Sequence, residues 1–394
     1  MSLIEKMKKE IMGIEDEMIE WRRDIHQHPE IAFEEERTSA LVSEKLKEWG
    51  YEIKKMAGTG VVANLKKDFS GKTIAIRADM DALPLEEKTD LPYKSKNPGK
   101  MHACGHDAHT AIALGTARVI SLFKDKIKGN VKFIFQPAEE GPGGAKPMID
   151  EGALENPEVD RIIGLHNRTN IPVGQIGVGY GAIMASTDKF TVKIKGTGAH
   201  GAHPDEGVDP IVVASHLILA LQELVSRETE PTDPLVITTG SIHGGTVFNI
   251  IPDEVELMGT VRTLNSDLRN NISQRIEEVI SGITTTFRAD YELDYQYGYP
   301  VTVNDKEVTK EMEEVISEML GPENIYYMEK PSMGGEDFAY YLQEVPGSFV
   351  YLGTENPEKG IIHPGHSPKF NIDEDILVIG VELFIRSVLK YLNN

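Results

Sequence analysis

The sequence predicts an α/β protein: one domain on a mostly parallel sheet, interrupted by an inserted ferredoxin-like (βαββαβ) domain. Three observations point there. Short apolar runs at 61–65, 73–77, 131–136 and 161–165 alternate with helical patterns, as parallel strands buried on both faces do. After the glycine-rich stretch 177–186 the pattern changes to half-exposed alternation in the order β-α-β-β-α-β. Past Gly298-Tyr299-Pro300 the first style resumes.

Taken in order, residues 3–50 read as helical, because Leu41, Val42, Leu46 and Trp49 recur at helical spacing and Gly50 ends the run. A helix is expected over 109–123, between the second and third strands. In the insert, KFTVKIK (189–195) alternates as a strand; 209–228 and 266–287 are amphipathic helices, and 235–243, 254–262 and 291–297 are strands. A helix over 306–320, a strand at 349–352 and a last helix over 374–392 complete the first domain. The expected division is 1–185 with 300–394, and 186–299 as the insert.

The 394 residues carry 41 Lys plus Arg against 63 Asp plus Glu, a net charge of −22. That excess argues against nucleic-acid or anionic-membrane partners, which need basic surface. No run approaches the ~18 apolar residues of a membrane span, and the first residues lack a signal-peptide core. A soluble, cytoplasmic protein is expected. The lone cysteine, Cys104, excludes an intrachain disulfide; such a residue is most often a small buried hydrophobe.

Its neighbourhood argues otherwise. The stretch from Met101 to His109 holds His102, Cys104, His106, Asp107 and His109. Thiolate, imidazole and carboxylate together suit zinc or a neighbouring transition metal, and the spacing is not that of a zinc finger. Polar residues also follow three predicted strands: Asp79 and Asp81 after 73–77, Glu139-Glu140 after 131–136, and His166 after 161–165. Ligands bind at the carboxyl ends of strands in open α/β sheets. Adjacent Glu139 and Glu140 point in different directions, so one can hold metal while the other handles a proton. His363 and His366 add imidazoles in a rigid, proline-bearing loop, and His200 and His203 lie in a glycine-rich loop of the insert. No G-x-S-x-G elbow or Walker A occurs. A Cys104–His thiol protease would leave Glu139, Glu140 and His166 without a role. Metal-assisted hydrolysis accounts for all of them.

The stretches RRDIHQHPE (22–30), RADMDALP (77–84), MHACGHDAH (101–109), FQPAEEG (135–141), GLH (164–166), GTGAHGAHP (196–204), NIIPDEVELMGTVR (249–262), GGEDF (334–338) and HSPKFNIDED (366–375) resemble the metal-dependent aminoacylase and carboxypeptidase family that includes hippurate hydrolase and auxin-conjugate hydrolases. The resemblance implies two divalent metal ions, zinc or manganese with cobalt or nickel as alternatives. Their ligands would be Cys104, as a bridging thiolate, with His106, Glu140, His166 and His366. It implies Glu139 as general base, His200 as donor to the developing oxyanion, and Asn249 and Arg262 as holders of the substrate carboxylate. Relatives with a His-x-Asp in place of Asp79-Met80-Asp81 make both aspartates candidates for orienting a ligand imidazole. His363 does not match a ligand position. The segment Asn167-Arg168-Thr169-Asn170 departs from the Trp- or Tyr-bearing versions of that stretch. The implied activity is hydrolysis of N-acyl-L-amino acids or of the C-terminal residue of short peptides. Carboxypeptidase or dipeptidase action is the alternative, and a non-catalytic binder of carboxylated metabolites the remote one. A homo-oligomer, dimer or tetramer, is compatible with the insert.

Overall fold

The computed structural model describes residues 2–65 and 71–393, which form two compact units. The first comprises residues 1–181, 303–329 and 340–394, and the second 182–302 and 330–339.

The first unit is built on an eight-stranded sheet. Its order is Tyr51–Met56, Gly60–Leu65, Asn130–Gln136, Thr73–Asp79, Arg161–Pro172, Gly347–Glu355, Ile176–Val178 and Ile325–Tyr327. The four central strands, from Asn130–Gln136 to Gly347–Glu355, run parallel. Every residue of Thr73–Asp79 and Asn130–Gln136 is buried, which is why these strands read as continuous apolar runs. The flanking strands are short or antiparallel, and Tyr51–Met56, Ile176–Val178 and Ile325–Tyr327 carry little periodic signal. The helical span expected over 3–50 is three helices, Leu3–Gly13, Glu15–Gln27 and Glu36–Glu48. Ser2 and Glu5 form a capping box at the first. The buried core joins His106–Leu122 and Ile376–Asn393 to the sheet through residues such as Ile112, Val381 and Leu352.

One strand differs in a way that matters for the site. The run expected to end at Leu165 continues to Pro172, paired with Gly347–Glu355 from Ile162 onwards. His166 therefore projects from within a strand rather than following one.

The second unit has a four-stranded antiparallel sheet ordered Leu235–Gly244, Glu254–Thr263, Asp188–Lys195 and Asp290–Gln296. Helices Pro210–Glu223 and Ser266–Phe287 supply Leu217, Leu221, Ile276 and Ile280 to its core. The ferredoxin-like βαββαβ order is thus present. Residues 330–339 belong to this unit: Ser332 N–H donates to Ile183 O, and Ala185 N–H to Ser332 O and Gly334 O. A segment tied by backbone bonds alone leaves no periodic trace in the sequence. The helix continuing to Glu228 also corrects the expectation that no run reaches membrane-span length and apolarity. Pro210–Glu228 does by composition, while its Val213, Ala214, Leu217, Leu221 and Leu224 are buried in this unit's core.

Candidate metal centre

Three loops and a strand of the first unit bring the acid, imidazole and thiol groups together. Helix His106–Leu122 begins after Gly105, whose φ of 86° lies in the left-handed region. A Cβ there would also overlap Asn167 Oδ1, so glycine is required on both counts. This turn sets Cys104 and His106 against His166, and the ligand atoms of these three lie within 4.8 Å of one another. A second set within the same limit comprises Cys104, Glu140 and His366. The two sets share the Cys104 thiol, which is 3.3 Å from His166 Nε2. Glu140 Oε1 lies 3.1 Å from His366 Nε2.

Each imidazole is oriented by its far nitrogen. His106 Nδ1 bonds the Asp81 carbonyl at 2.9 Å and His166 Nδ1 bonds the Asn167 carbonyl at 2.7 Å, which leaves each Nε2 as the inward-facing atom. His366 is held with φ 63°, its N–H donating to Ala103 O at 2.8 Å. A non-glycine residue in that region is costly and clusters at functional sites.

The carboxylate pair is fixed through its backbone. Ala138, with φ 58°, donates its N–H to Glu35 Oε1 at 2.9 Å. Asp81 accepts the next two amides, Glu139 N–H on Oδ1 and Glu140 N–H on Oδ2, each at 2.9 Å. Three successive amides are thus gripped by two buried carboxylates. Asp79 does something different: its Oδ1 receives His109 Nδ1 at 2.6 Å and its Oδ2 the Arg77 guanidinium, with His106 Nε2 3.8 Å away.

The donor set fits a metal. His106 Nε2 is buried and lacks a hydrogen-bond partner, a state for which an incoming ion is one physical explanation, while Glu140 Oε1 faces the His366 imidazole. Electrostatics agree. Burial opposes a charged His106, yet Asp79 and Asp81 outweigh it and push the imidazole up to about 10, so the surrounding carboxylates favour positive charge here. Burial, with His109 nearby, lowers His166 to about 3, leaving a neutral ring suited to ligation. Burial and the neighbouring Glu140 and Glu139 push the Cys104 thiol up, so ligation would release its proton. Glu140 is held below the usual carboxylate range: burial opposes ionisation, but the His366 hydrogen bond and His106 prevail.

The remaining expected site residues lie in the second unit. His200 and Asn249 are close together there: His200 pairs with Ile250 in a two-stranded ribbon, and Gly201 N–H donates to Asn249 O at 2.8 Å. Both are exposed. Arg262 sits on the Glu254–Thr263 strand, half-buried, with Nη1 donating to Asp188 O, Val261 O and the Thr260 hydroxyl. Sequence reasoning missed Glu35, the single buried member of Glu34-Glu35-Glu36, a run that reads as solvated charge. It also left His109 without a role, although its nitrogens tie Asp79 to the Asn167 amide.

With this geometry in view, residues 75–390 match the model of peptidase family M20/M25/M40. The chain is 41% identical over its full length, and over all of the relative's, to thermostable carboxypeptidase 1 of Saccharolobus solfataricus. It is 42% identical to N-acetyl-L-cysteine deacetylase of Bacillus subtilis, covering 97% of this chain and 89% of that one. Its backbone matches the crystal structure of a dinuclear metal-binding peptidase of the M20 family from Bacillus subtilis with a TM-score of 0.85, at 36% identity, over 97% and 99% of the two chains. An acid–imidazole–thiol cluster of this kind, on this fold and with these relatives, places the chain in the hydrolases of peptidase family M20/M25/M40.

Proposed function

We propose that the protein is a two-metal amidohydrolase that cleaves the amide bond of N-acyl-L-amino acids or releases the C-terminal residue of short peptides. The observation that carries this reading is the pair of ligand sets sharing Cys104, with His106 Nε2 buried and unpartnered. Cys104, His106 and His166 would hold one ion, and Cys104, Glu140 and His366 the other. Two divalent cations so held would polarise the amide carbonyl and make water a competent nucleophile near neutral pH.

Glu139 is the base in this reading. It takes the proton as the water oxygen adds to the carbonyl carbon, and returns it to the departing nitrogen when the C–N bond breaks, a role worth ~10²–10⁴ in rate. Asp81 and Glu35 aim it by clamping the amides of residues 138–140. The family resemblance supports His200 as donor to the developing oxyanion and Asn249 and Arg262 as binders of the α-carboxylate. Mixed thiolate, imidazole and carboxylate ligation favours zinc or manganese, with cobalt or nickel accepted. Full-length likeness to a carboxypeptidase supports peptide cleavage as the second reading. A cytoplasmic location fits the strongly acidic composition. Exposed Val236 and Ile242 on the edge strand Leu235–Gly244 support a homodimer.

The test is Glu139→Ala. The variant should keep its metal by elemental analysis while losing ~10²–10⁴ in release of free amino acid from acyl-amino acids. Undiminished turnover would remove Glu139 from the role of base.

A further inference from the structure

We infer that Arg168 makes the site select substrates bearing a second carboxylate, in addition to the α-carboxylate. This rests on the hydrolase reading above and names its substrate class. Arg168 lies two residues beyond His166 on the strand Arg161–Pro172. The two-residue period of a strand puts both side chains on one face, about 6.6 Å apart along it. On the parallel neighbour, Tyr351 stands opposite His166 and Gly353 opposite Arg168. The Arg168 side chain folds back towards the His166 row. Its Cζ sits 4.8 Å from the centre of the Tyr351 ring. Phe349 continues that row, 6.0 Å from Tyr351 and 6.4 Å from the His166 ring.

The guanidinium is held but not neutralised. Its Nε donates to Asn170 Oδ1 at 3.2 Å, and among the described residues it has no ion pair. In the same unit Arg22, Arg23, Arg37, Arg161 and Arg386 each hold a carboxylate. In a chain of net charge −22, an arginine kept from acidic partners two residues past a candidate ligand is set aside for a charge that arrives. With Nε bonded to Asn170 and Cζ over the Tyr351 ring, Nη1 and Nη2 remain as the fork that binds a carboxylate through both oxygens. Pre-ordering lowers the entropy lost on binding. The second carboxylate can belong to the amino-acid side chain or to a dicarboxylic acyl group.

Two matched pairs separate these sources: N-acetyl-L-glutamate against N-acetyl-L-glutamine, and N-succinyl-L-alanine against N-butyryl-L-alanine. In one arm, metal-loaded wild type should favour the acidic member about tenfold or more in kcat/KM, since a charge-assisted bond contributes ~1.5–3 kcal/mol. Arg168→Ala should raise KM for the acidic member at least about tenfold more than for its neutral mate, and Arg168→Lys should recover part of the difference. Indifference of wild type in both arms, or equal losses for both members, overturns the inference. Calorimetric binding of glutarate against butyrate to the same proteins separates the two layers. A glutarate preference lost in Arg168→Ala, without turnover of any substrate, sustains the role of Arg168 and sinks the hydrolase reading. Turnover without any acidic preference does the reverse.

Discussion

His106 and His109 stand one turn apart on the same helix, both wholly buried and both beside Asp79, yet they are built for opposite ends. His109 is satisfied: Nδ1 donates to Asp79 and Nε2 accepts the Asn167 amide at 3.0 Å. His106 is satisfied only on Nδ1, and its Nε2 faces Cys104 and His166 with no partner. A buried ion cluster nearby in sequence is held by charge pairing. There Asp107 receives Arg22 Nε at 2.8 Å and His26 Nδ1 at 2.9 Å, all three buried. For the two histidines, what each leaves unpaired among converging donors separates ligand candidate from support; residue type alone does not.

Substitutions can break that contrast, and the largest effect is expected at the unpaired member. His106→Ala should abolish turnover and remove bound metal, read by elemental analysis; full retention of both would erase the distinction from His109. Next comes the cluster of Arg22, His26 and Asp107. Asp107→Asn removes one of the two carboxylates that hold buried Arg22, leaving Glu374, at a cost of up to ~3 kcal/mol, read as a fall in Tm of the metal-free protein. Burial opposes the Asp107 charge, but Arg22 and the His26 hydrogen bond overcome it and hold its carboxyl far below the usual range. A carboxyl depressed by folding stabilises the fold above its unfolded pKa of ~4, and that contribution is lost as pH falls through the folded value. The Tm gap between wild type and variant should therefore narrow below pH ~4; a gap independent of pH would exclude the ion pair as its source.

A smaller effect is expected for His109→Phe, which removes the link between Asp79 and the strand of His166. Metal affinity should fall ~10–100-fold, the usual cost of losing such support, with stoichiometry unchanged in a metal titration. The smallest is at Glu35. Glu35→Ala frees Ala138 N–H and should lower kcat about tenfold, the equivalent of one lost hydrogen bond near 1.4 kcal/mol. KM should hold, and Glu35→Gln should restore most of the rate because its amide oxygen can still accept from Ala138. A Glu35→Gln variant as slow as Glu35→Ala would point to charge instead of positioning.

Much of this was legible before any coordinates. Cys104 and His106 announce themselves because unlike donors crowd one short loop, and Glu139-Glu140 because they follow an apolar strand. The helices starting at Lys306 and Ser266 follow from Asp305 and Asn265, which cap them by accepting two backbone amides each. Glu35 stayed hidden because its partners, Thr59 and Ala138, are 24 and 103 residues away, and a run of three glutamates gives no hint that one turns inward. The extension of the His166 strand to Pro172 was equally hidden, since its ladder partner lies near residue 350 and polar Asn167-Arg168-Thr169-Asn170 reads as a loop. Long-range pairing overrides local composition in both places.

The central claim is that one thiolate serves two metal positions. Stepwise titration of metal-free protein with Co²⁺, followed by thiolate-to-cobalt charge-transfer absorption, tests it most directly, because Cys104 is the chain's single cysteine. The account predicts two equivalents bound, each step changing the thiolate band, and no band in Cys104→Ala. A band that completes at the first equivalent and ignores the second, or that persists in Cys104→Ala, would contradict it.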